Sequence, residues 1–402
     1  MSNLNLFFWS LLALSVSTNG AAAFELDSLL PANVPGYGTS QRISILGRVD
    51  PEYEPMDFNY GTLSFSPSID AGGGYDSNPN GISNGSSTFN LNPSLTAADT
   101  QLGFGAYIAG TFSAYPEVTD QNTSGYTVAL GQRILLPRET LTLAAASINT
   151  QVTGFGFNSI SFSQPVTTSV KDIRGSDKIV LGMVALTPEF SVSRYAFQGY
   201  PDQNRTDYRQ SLTGEFTSGG PVRLVTLLQA TESQYRQDSF NANTYGALAG
   251  IADEATGLWQ IRLLAGAASR QPTVGKVMTE PVLEASLSWM PTEIDSLSLD
   301  LAREIDDPEQ ESAEGYTLSA ADISFAHEYL RNVIITGSGK FSRAIYFNSS
   351  LIETLVNVLI SANWNLNRSL SVNATYAFND RQANELAAAN ENIITMGVTW
   401  TP

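Results

Sequence analysis

From Glu280 to Trp400 the chain places an apolar residue at every second position, in one run after another. Between Val282 and Met290, Leu283, Ala285, Leu287 and Trp289 alternate with Glu284, Ser286 and Ser288. Leu297, Leu299 and Leu301 then alternate with Ser296, Ser298 and Asp300, and Val333, Ile335 and Phe341 stand against Thr336, Ser338 and Lys340. Leu370, Val372, Ala374, Tyr376 and Phe378 interleave with Ser371, Asn373 and Thr375; Ile394, Met396, Val398 and Trp400 interleave with Thr395, Gly397 and Thr399. Successive strand residues point to opposite faces, so each run predicts a strand with one apolar wall and one polar wall.

Alternation also occurs in soluble sandwiches and solenoids, so the spacing of the runs has to decide. The runs are about ten residues long, enough for a tilted strand to cross a bilayer core. Trp289 to Thr292, Tyr329 to Asn332 and Leu366 to Ser369 leave room only for tight turns, whereas Glu304 to Glu314, Arg343 to Leu351 and Asn379 to Asn390 are roomy and polar. Short turns at one end and long loops at the other is the layout of a transmembrane barrel with its turns on the periplasmic side. The fold class is therefore all-β, a single transmembrane antiparallel β-barrel over 59–402.

Upstream, further candidate strands are Gly61 to Asp70, Phe89 to Ala97, Gln101 to Tyr115, Tyr126 to Leu136 and Thr140 to Gln151. In the last of these Leu141, Leu143, Ala145 and Ile148 keep a rough alternation. Val152 to Asp177 is rich in Gly, Ser and Thr and gives no clear pattern. Ile179 to Leu186, Phe190 to Gln198, Tyr208 to Thr217, Val222 to Ser233, Tyr245 to Ala252 and Leu258 to Ser269 complete the set. The total is roughly 18 strands, with 16 as the fallback because single-chain bacterial barrels have even counts. Such a barrel encloses a lumen wide enough for water.

Ahead of the strands lie two other regions. Residues 1–23 carry an apolar core from Leu4 to Ser17 and end in Ala21, Ala22 and Ala23, the form of a cleaved secretory leader, although no Lys or Arg precedes the core. Residues 24–58 contain Pro31, Pro35, Pro51 and Pro55 and read as an irregular periplasmic lead-in that touches or partly plugs the lumen. No uninterrupted apolar run reaches the roughly 18 residues of a membrane helix, so an exported chain that spans a membrane must do so with strands.

Composition agrees with this picture. Charged residues are 15% of the 402, against about 25% in a soluble domain. The net charge of -18 argues against nucleic acid as a partner. There is no cysteine, which excludes disulfides and thiolate metal sites. Acid gathers in one connection, where Glu304, Asp306, Asp307, Glu309, Glu311 and Glu314 read as a solvated spacer, with a divalent-cation bridge to anionic lipid sugars as the sharper alternative. Tyr107, Tyr115, Trp259, Trp289, Tyr346 and Trp400 lie near segment ends, as interfacial girdles require.

Candidate chemistry is sparse. The single histidine, His327, stands beside Glu328 with no nucleophile placed next to it, so a structural hydrogen bond is the reading and no enzyme is expected. No cofactor is expected, and without a His cluster no metal site is either. Asp76 and Asn78 share a D-x-N spacing with calcium loops but lack the later glycine and glutamate, which leaves a side-chain-capped turn. If the apolar faces meet lipid, Glu284, Ser286, Ser288, Asp300, Ser338, Lys340, Asn373 and Thr375 line the lumen. Their hydroxyls, amides and carboxylates would hold water or sugar hydroxyls and repel anions.

Several turn sequences also resemble those of a known family. Gly72-Gly73-Gly74-Tyr75-Asp76-Ser77-Asn78-Pro79 follows a strand and carries a YDSN signature. Ser288-Trp289-Met290-Pro291-Thr292, His327-Glu328-Tyr329-Leu330-Arg331-Asn332-Val333 and Leu366-Asn367-Arg368-Ser369-Leu370 follow in order. Together they resemble the putative beta-barrel porin type 2 family of Gram-negative outer-membrane proteins, in which Tyr75, Asp76, Ser77 and Asn78 form the family motif. The resemblance implies an outer-membrane channel that serves as a conduit or accessory in exopolysaccharide export; the alternative is a non-conducting structural or assembly barrel. It implies as partners outer-membrane lipid and lipopolysaccharide, the barrel insertion machinery and polysaccharide export components. One departure concerns insertion: the terminal aromatic residue that the machinery reads, Trp400, is followed by Thr401 and Pro402.

Overall fold

A computed structural model describes residues 30–31, 34–37, 43–48, 50–81, 84–152, 155–157, 164–253, 257–307, 315–384 and 388–402. The leader at 1–23 lies outside the described residues. A short strand, β1 (Phe58–Tyr60), precedes eighteen long ones: β2 (Leu63–Asp76), β3 (Ser86–Asp99), β4 (Phe104–Ala114), β5 (Thr123–Leu135), β6 (Glu139–Val152), β7 (Val166–Leu181), β8 (Val184–Phe197), β9 (Arg205–Thr217) and β10 (Val222–Tyr235). The second half comprises β11 (Ala242–Asp253), β12 (Trp259–Pro272), β13 (Met278–Thr292), β14 (Asp295–Asp306), β15 (Tyr316–Leu330), β16 (Val333–Tyr346), β17 (Ile352–Asn367), β18 (Leu370–Ala383) and β19 (Ala389–Trp400). Every neighbour in sequence from β2 to β19 pairs antiparallel, and β19 closes on β2 with Trp400 opposite Ile69 and Ile393 opposite Asp76. The result is a closed barrel of 18 strands. Closure leaves no strand edge in contact with lipid, the condition for a sheet to cross a bilayer.

The long strands run from 11 to 16 residues. At about 3.3 Å per residue and a tilt near 40° they exceed the roughly 25 Å apolar band of such barrels, so their ends stand clear of the hydrocarbon. Residues left to the loops by sequence reading belong to these extensions: Glu304 and Asp306 lie in β14, Arg343 to Tyr346 in β16, and Asn379 to Ala383 in β18. The short turns are correspondingly tighter than expected. Strand β13 runs through Met290 to Thr292 with a register shift after Trp289, leaving only residues 293–294 as the turn, and similar shifts precede the turns after β15 and β17. Ile179 to Leu186 is not one strand. Gly182, at φ +67°, turns the chain in its middle, a conformation that costs glycine nothing, and Val152 to Asp177 supplies most of β7.

The apolar faces point outward. Leu263, Trp289, Phe325, Phe341, Trp364 and Val398 are each at least 43% exposed on the isolated barrel. The four described tryptophans, Trp259, Trp289, Trp364 and Trp400, all face out near the short-turn rim, with Trp259 directly opposite Trp289 across the ladder. Tyr75, Phe89, Phe112, Tyr126, Tyr208 and Tyr245 face out near the long-loop rim. These are two interfacial belts, and of the girdle candidates Trp259, Trp289 and Trp400 fall in the short-turn one. Two girdle candidates turn the other way. Tyr346 is 2% exposed on the inner face and donates to Glu353 at 2.7 Å, and Tyr107 packs against a buried inner cluster, because both fall in the inward phase of their strands. Tyr115 lies just past β4, its backbone N–H donating to Asn122.

Strand β1 fills a gap in the cylinder. Trp400 reaches only to Ile69, so the lower part of β2 would be unpaired on that side; Phe58 to Tyr60 pair there with Phe65 to Leu63.

Candidate functional site

The inner wall begins with the polar positions of each strand, and cross-strand register links them. Arg262 stands opposite Ser286, Ser286 opposite Asp300, Asp300 opposite Asp322, Asp322 opposite Lys340, Lys340 opposite Asn357 and Asn357 opposite Asn379. Residues paired across a ladder share a face, so this row forms one continuous belt on the wall opposite the lipid. Glu284 receives Arg262 at 2.7 Å. Ser288 is 4% exposed and pairs with Ser298, which meets Ser324 at 2.6 Å; Ser338 stands opposite Ser324. Asn373 donates to Asp70 across the closing seam at 2.9 Å, and Thr375 stands opposite Thr395. The eight residues chosen from sequence thus occupy one face, at several heights.

The lead-in touches the lumen wall as expected, and its seat, which the sequence did not locate, lies on the inner face of β5 to β8. Leu30, Val34 and Tyr37 are 5%, 0% and 4% exposed, packed on Ala129, Ala144, Ala146, Ile148, Val166, Val170, Tyr195 and Phe197. These three residues of the lead-in therefore lie within the barrel at mid-height, seated on β5 to β8. The wall there is built for close approach. A Cβ on Gly131 would lie 1.9 Å from the Pro35 carbonyl oxygen, and one on Gly36 would lie 2.6 Å from the Ala144 Cβ, so neither position admits a larger residue without movement of the backbone. Ile148 belongs to this inward set, out of phase with Leu143, which faces out. Small and apolar residues at inward positions of β5 and β6, where a water-filled lumen would call for polar ones, were the available signal.

A polar clasp fixes the segment. Tyr37 donates to Asp172 at 2.8 Å; Ser193 donates to the same carboxylate at 2.7 Å and Arg174 at 2.9 Å. The Arg174 guanidinium lies 4.4 Å from the centre of the Tyr37 ring, a cation–π contact. A second anchored stretch sits seven strands further round. Ser44 meets Ser296 of β14 at 3.1 Å and caps the short turn Ile45–Gly47, and Arg48 reaches Glu328 of β15 at 3.0 Å. Arg368, in the turn after β17, then holds the Pro51 carbonyl at 2.8 Å.

The acid-rich connection also departs from expectation. Asp307 turns inward, 8% exposed, and accepts from Arg270 at 2.6 Å, Ser233 at 2.7 Å and Tyr235 at 3.1 Å. It is neither a solvated spacer nor a surface cation bridge at that residue; Glu309, Glu311 and Glu314 lie outside the described residues. Burial pushes its carboxyl up, but Arg270 and Arg205 outweigh burial and hold it below its ordinary value. Among the described residues no group of three or more acids and histidines is placed to hold a metal.

The segment from Tyr75 to Asn78 forms a seam clamp. Tyr75 and Asp76 end β2 rather than follow it. Asp76 caps its turn by accepting from the Asn78 N–H at 2.9 Å. Ser77 exchanges two bonds with Asn392, at 2.9 and 2.8 Å, and the Asn78 amide donates to the Asn390 carbonyl at 2.7 Å, so the motif ties the first barrel strand to the last beyond the regular ladder. His327 pairs with Asp295 at 2.8 Å, each 38% exposed, a cross-strand contact between β14 and β15.

No curated protein matches the chain. Among solved structures, OccK2 (OpdF) of Pseudomonas aeruginosa, in complex with glucuronate, is 10% identical, covering 84% of this chain and 98% of its own at a TM-score of 0.45. OpdK, an outer-membrane protein of the same organism, is 9% identical, covering 84% and 99% at 0.44, and the FrpB iron transporter of Neisseria meningitidis is 9% identical, covering 86% and 82% at 0.44. Likeness of this size says nothing of cargo. The family described as "Putative beta-barrel porin 2" matches residues 50–401, which include every strand of the barrel, and the chain belongs to it.

Proposed function

We propose that this outer-membrane barrel is a diffusion channel for small hydrophilic solutes, narrowed at mid-height by its own N-terminal segment. One observation carries the reading: Leu30, Val34 and Tyr37 are seated on the inner wall of β5 to β8, with Val34 fully buried, opposite a wall of paired hydroxyls, amides and charges. A polar wall conducts water and solutes, and a segment held by one apolar face and one clasp reduces the cross-section. Export of a surface polysaccharide, the cargo implied by family resemblance, is the less favoured reading, since a polymer would have to slide along the wall the segment occupies. The partners this reading implies are acyl chains around the outer face, lipopolysaccharide at the long-loop end and the machinery that inserts barrels.

Single-channel recording in planar bilayers tests it. The full exported chain should give small steps, and a chain lacking 24–49 distinctly larger ones. Silence from both, with each shown to be folded, would overturn the proposal in favour of a non-conducting structural barrel.

A further inference from the structure

Beside the seated segment, between β6 and β9, the inner wall opens into a cavity of about 320 Å3. Arg174, Glu189, Ser191, Asp207, Arg209 and Ser211 line it, and Gly36 of the seated segment forms part of its boundary. This is a volume in the range of small-molecule sites.

Two features of the lining point to a ligand. Asp207 is 8% exposed, gives one carboxylate oxygen to Arg205 at 3.1 Å, and leaves Oδ1 buried with no hydrogen-bond partner. A buried acceptor without a donor is costly, so the site calls for an O–H or N–H supplied from outside. Arg209, on the same strand two residues on, is exposed to the cavity and has no hydrogen bond or ion pair among the described residues.

Charge and hydroxyl content narrow the class. Arg174 is neutralised by Asp172, and Asp207 by Arg205. That leaves Arg209 and Glu189, one of each sign, so the lining favours neither net cations nor net anions. Because Asp207 already faces a guanidinium, its free oxygen suits a neutral O–H better than a second full positive charge. Serine, threonine and tyrosine hydroxyls make up much of the remaining surface, groups that both donate and accept.

We infer that this cavity is a binding site for an uncharged polyhydroxylated solute of mono- to disaccharide size, whose adjacent hydroxyls donate to Asp207 Oδ1 and Glu189 and accept from Arg209. The site lies in the lumen assigned above to solute passage, and it deepens that reading by naming what dwells there.

The test uses the full exported chain, refolded in detergent, with glucose and maltose as probes and glutamate, lysine and glycine betaine as charged comparisons, read by titration calorimetry and saturation-transfer NMR. Saturable binding of a neutral sugar is expected, weakened about tenfold or more by Arg209→Ala and measurably by Asp207→Asn, with both variants folded by heat-modifiable gel mobility. Arg209 makes no hydrogen bond or ion pair among the described residues but lies within electrostatic reach of Asp207 and Glu304, so binding is read only on variant protein whose folded fraction matches wild type. Absence of saturable sugar binding to the folded wild type, binding unchanged in both variants, or tighter binding of a charged comparison would overturn the inference. Conductance recorded on the same preparations keeps the two readings apart: steps without sugar binding defeat this site alone, while sugar binding without steps defeats the channel.

Discussion

The phenol of Tyr37 donates to the carboxylate of Asp172 at 2.8 Å, joining residues 135 apart in sequence. Through this bond the segment ahead of the barrel becomes part of the barrel's interior. Tyr37→Phe keeps the ring, its packing and its contact with Arg174 but removes the bond. Asp172 retains Ser193 and Arg174, so the seat should weaken by about 1 kcal/mol, roughly a fivefold rise in the unseated population. Limited proteolysis of the folded protein checks this: cleavage within 24–49 should quicken while the barrel core stays resistant.

The direction of the strand faces predicts unequal costs at adjacent residues. Leu299 faces lipid, opposite Ile323, which is 49% exposed, and Ser298 faces inward. Leu299→Arg should cost about 2–4 kcal/mol near the midplane and Ser298→Arg much less. Refolding into lipid vesicles across a urea series measures both, and equal costs would contradict the assigned orientation.

Asp307 predicts a pH dependence with a definite sign. Its carboxyl is held below the ordinary value of 3.8, so the stabilisation it brings is fully present above that value and is lost as pH falls through its lowered pKa. The stability gap between wild type and Asp307→Asn should be flat from pH 7 to 5 and shrink only below about 4. At neutral pH, removing the carboxylate charge that Arg270 meets at 2.6 Å should lower the melting temperature of Asp307→Asn below that of wild type. Thermal melts of both proteins at each pH supply the comparison.

Tryptophan emission should report one membrane interface. The four described tryptophans face out at the short-turn rim, so lipids brominated near the headgroup should quench them more than lipids brominated at the chain ends. The opposite order would place them in the bilayer centre.

The seam clamp makes a local prediction. Asn78→Ala removes the bond to the Asn390 carbonyl, and Ser77→Ala the one to the Asn392 N–H, each worth about 1 kcal/mol. The temperature at which the barrel opens, seen as a shift in gel mobility, should fall in each variant and further in the double one.

Much of the barrel was legible because its code is local. Leu283 against Glu284, or Val398 against Gly397, states a face directly, and repetition of that statement gives strand number and closure. What escaped depends on partners distant in sequence. Tyr107 and Tyr346 look like girdle residues until their phase shows them pointing inward, and Ile179 to Leu186 looks like a strand until Gly182 turns it. The inner-wall candidates Ser286, Asp300 and Lys340 could be named because they alternate along their strands with apolar residues such as Leu287, Leu299 and Phe341. Asp207, Arg209 and Asp172 could not, because their strands carry polar residues on both sides and their meaning comes from Tyr37 and Arg205. The lead-in is a mixed case: its contact with the lumen could be read from the sequence, but the alanines that receive Leu30, Val34 and Tyr37 sit about a hundred residues downstream.

Pairing of β19 with β2 has a consequence for biogenesis. A cylinder whose first and last staves meet cannot be completed until the final stave arrives, so every shorter nascent form is an open, curved sheet. Whatever is to lie inside must be in place, or still able to thread in from the rim, when that joint is made. The residues around Val34 therefore share the timetable of the whole assembly, and mistimed closure would lock them out rather than in.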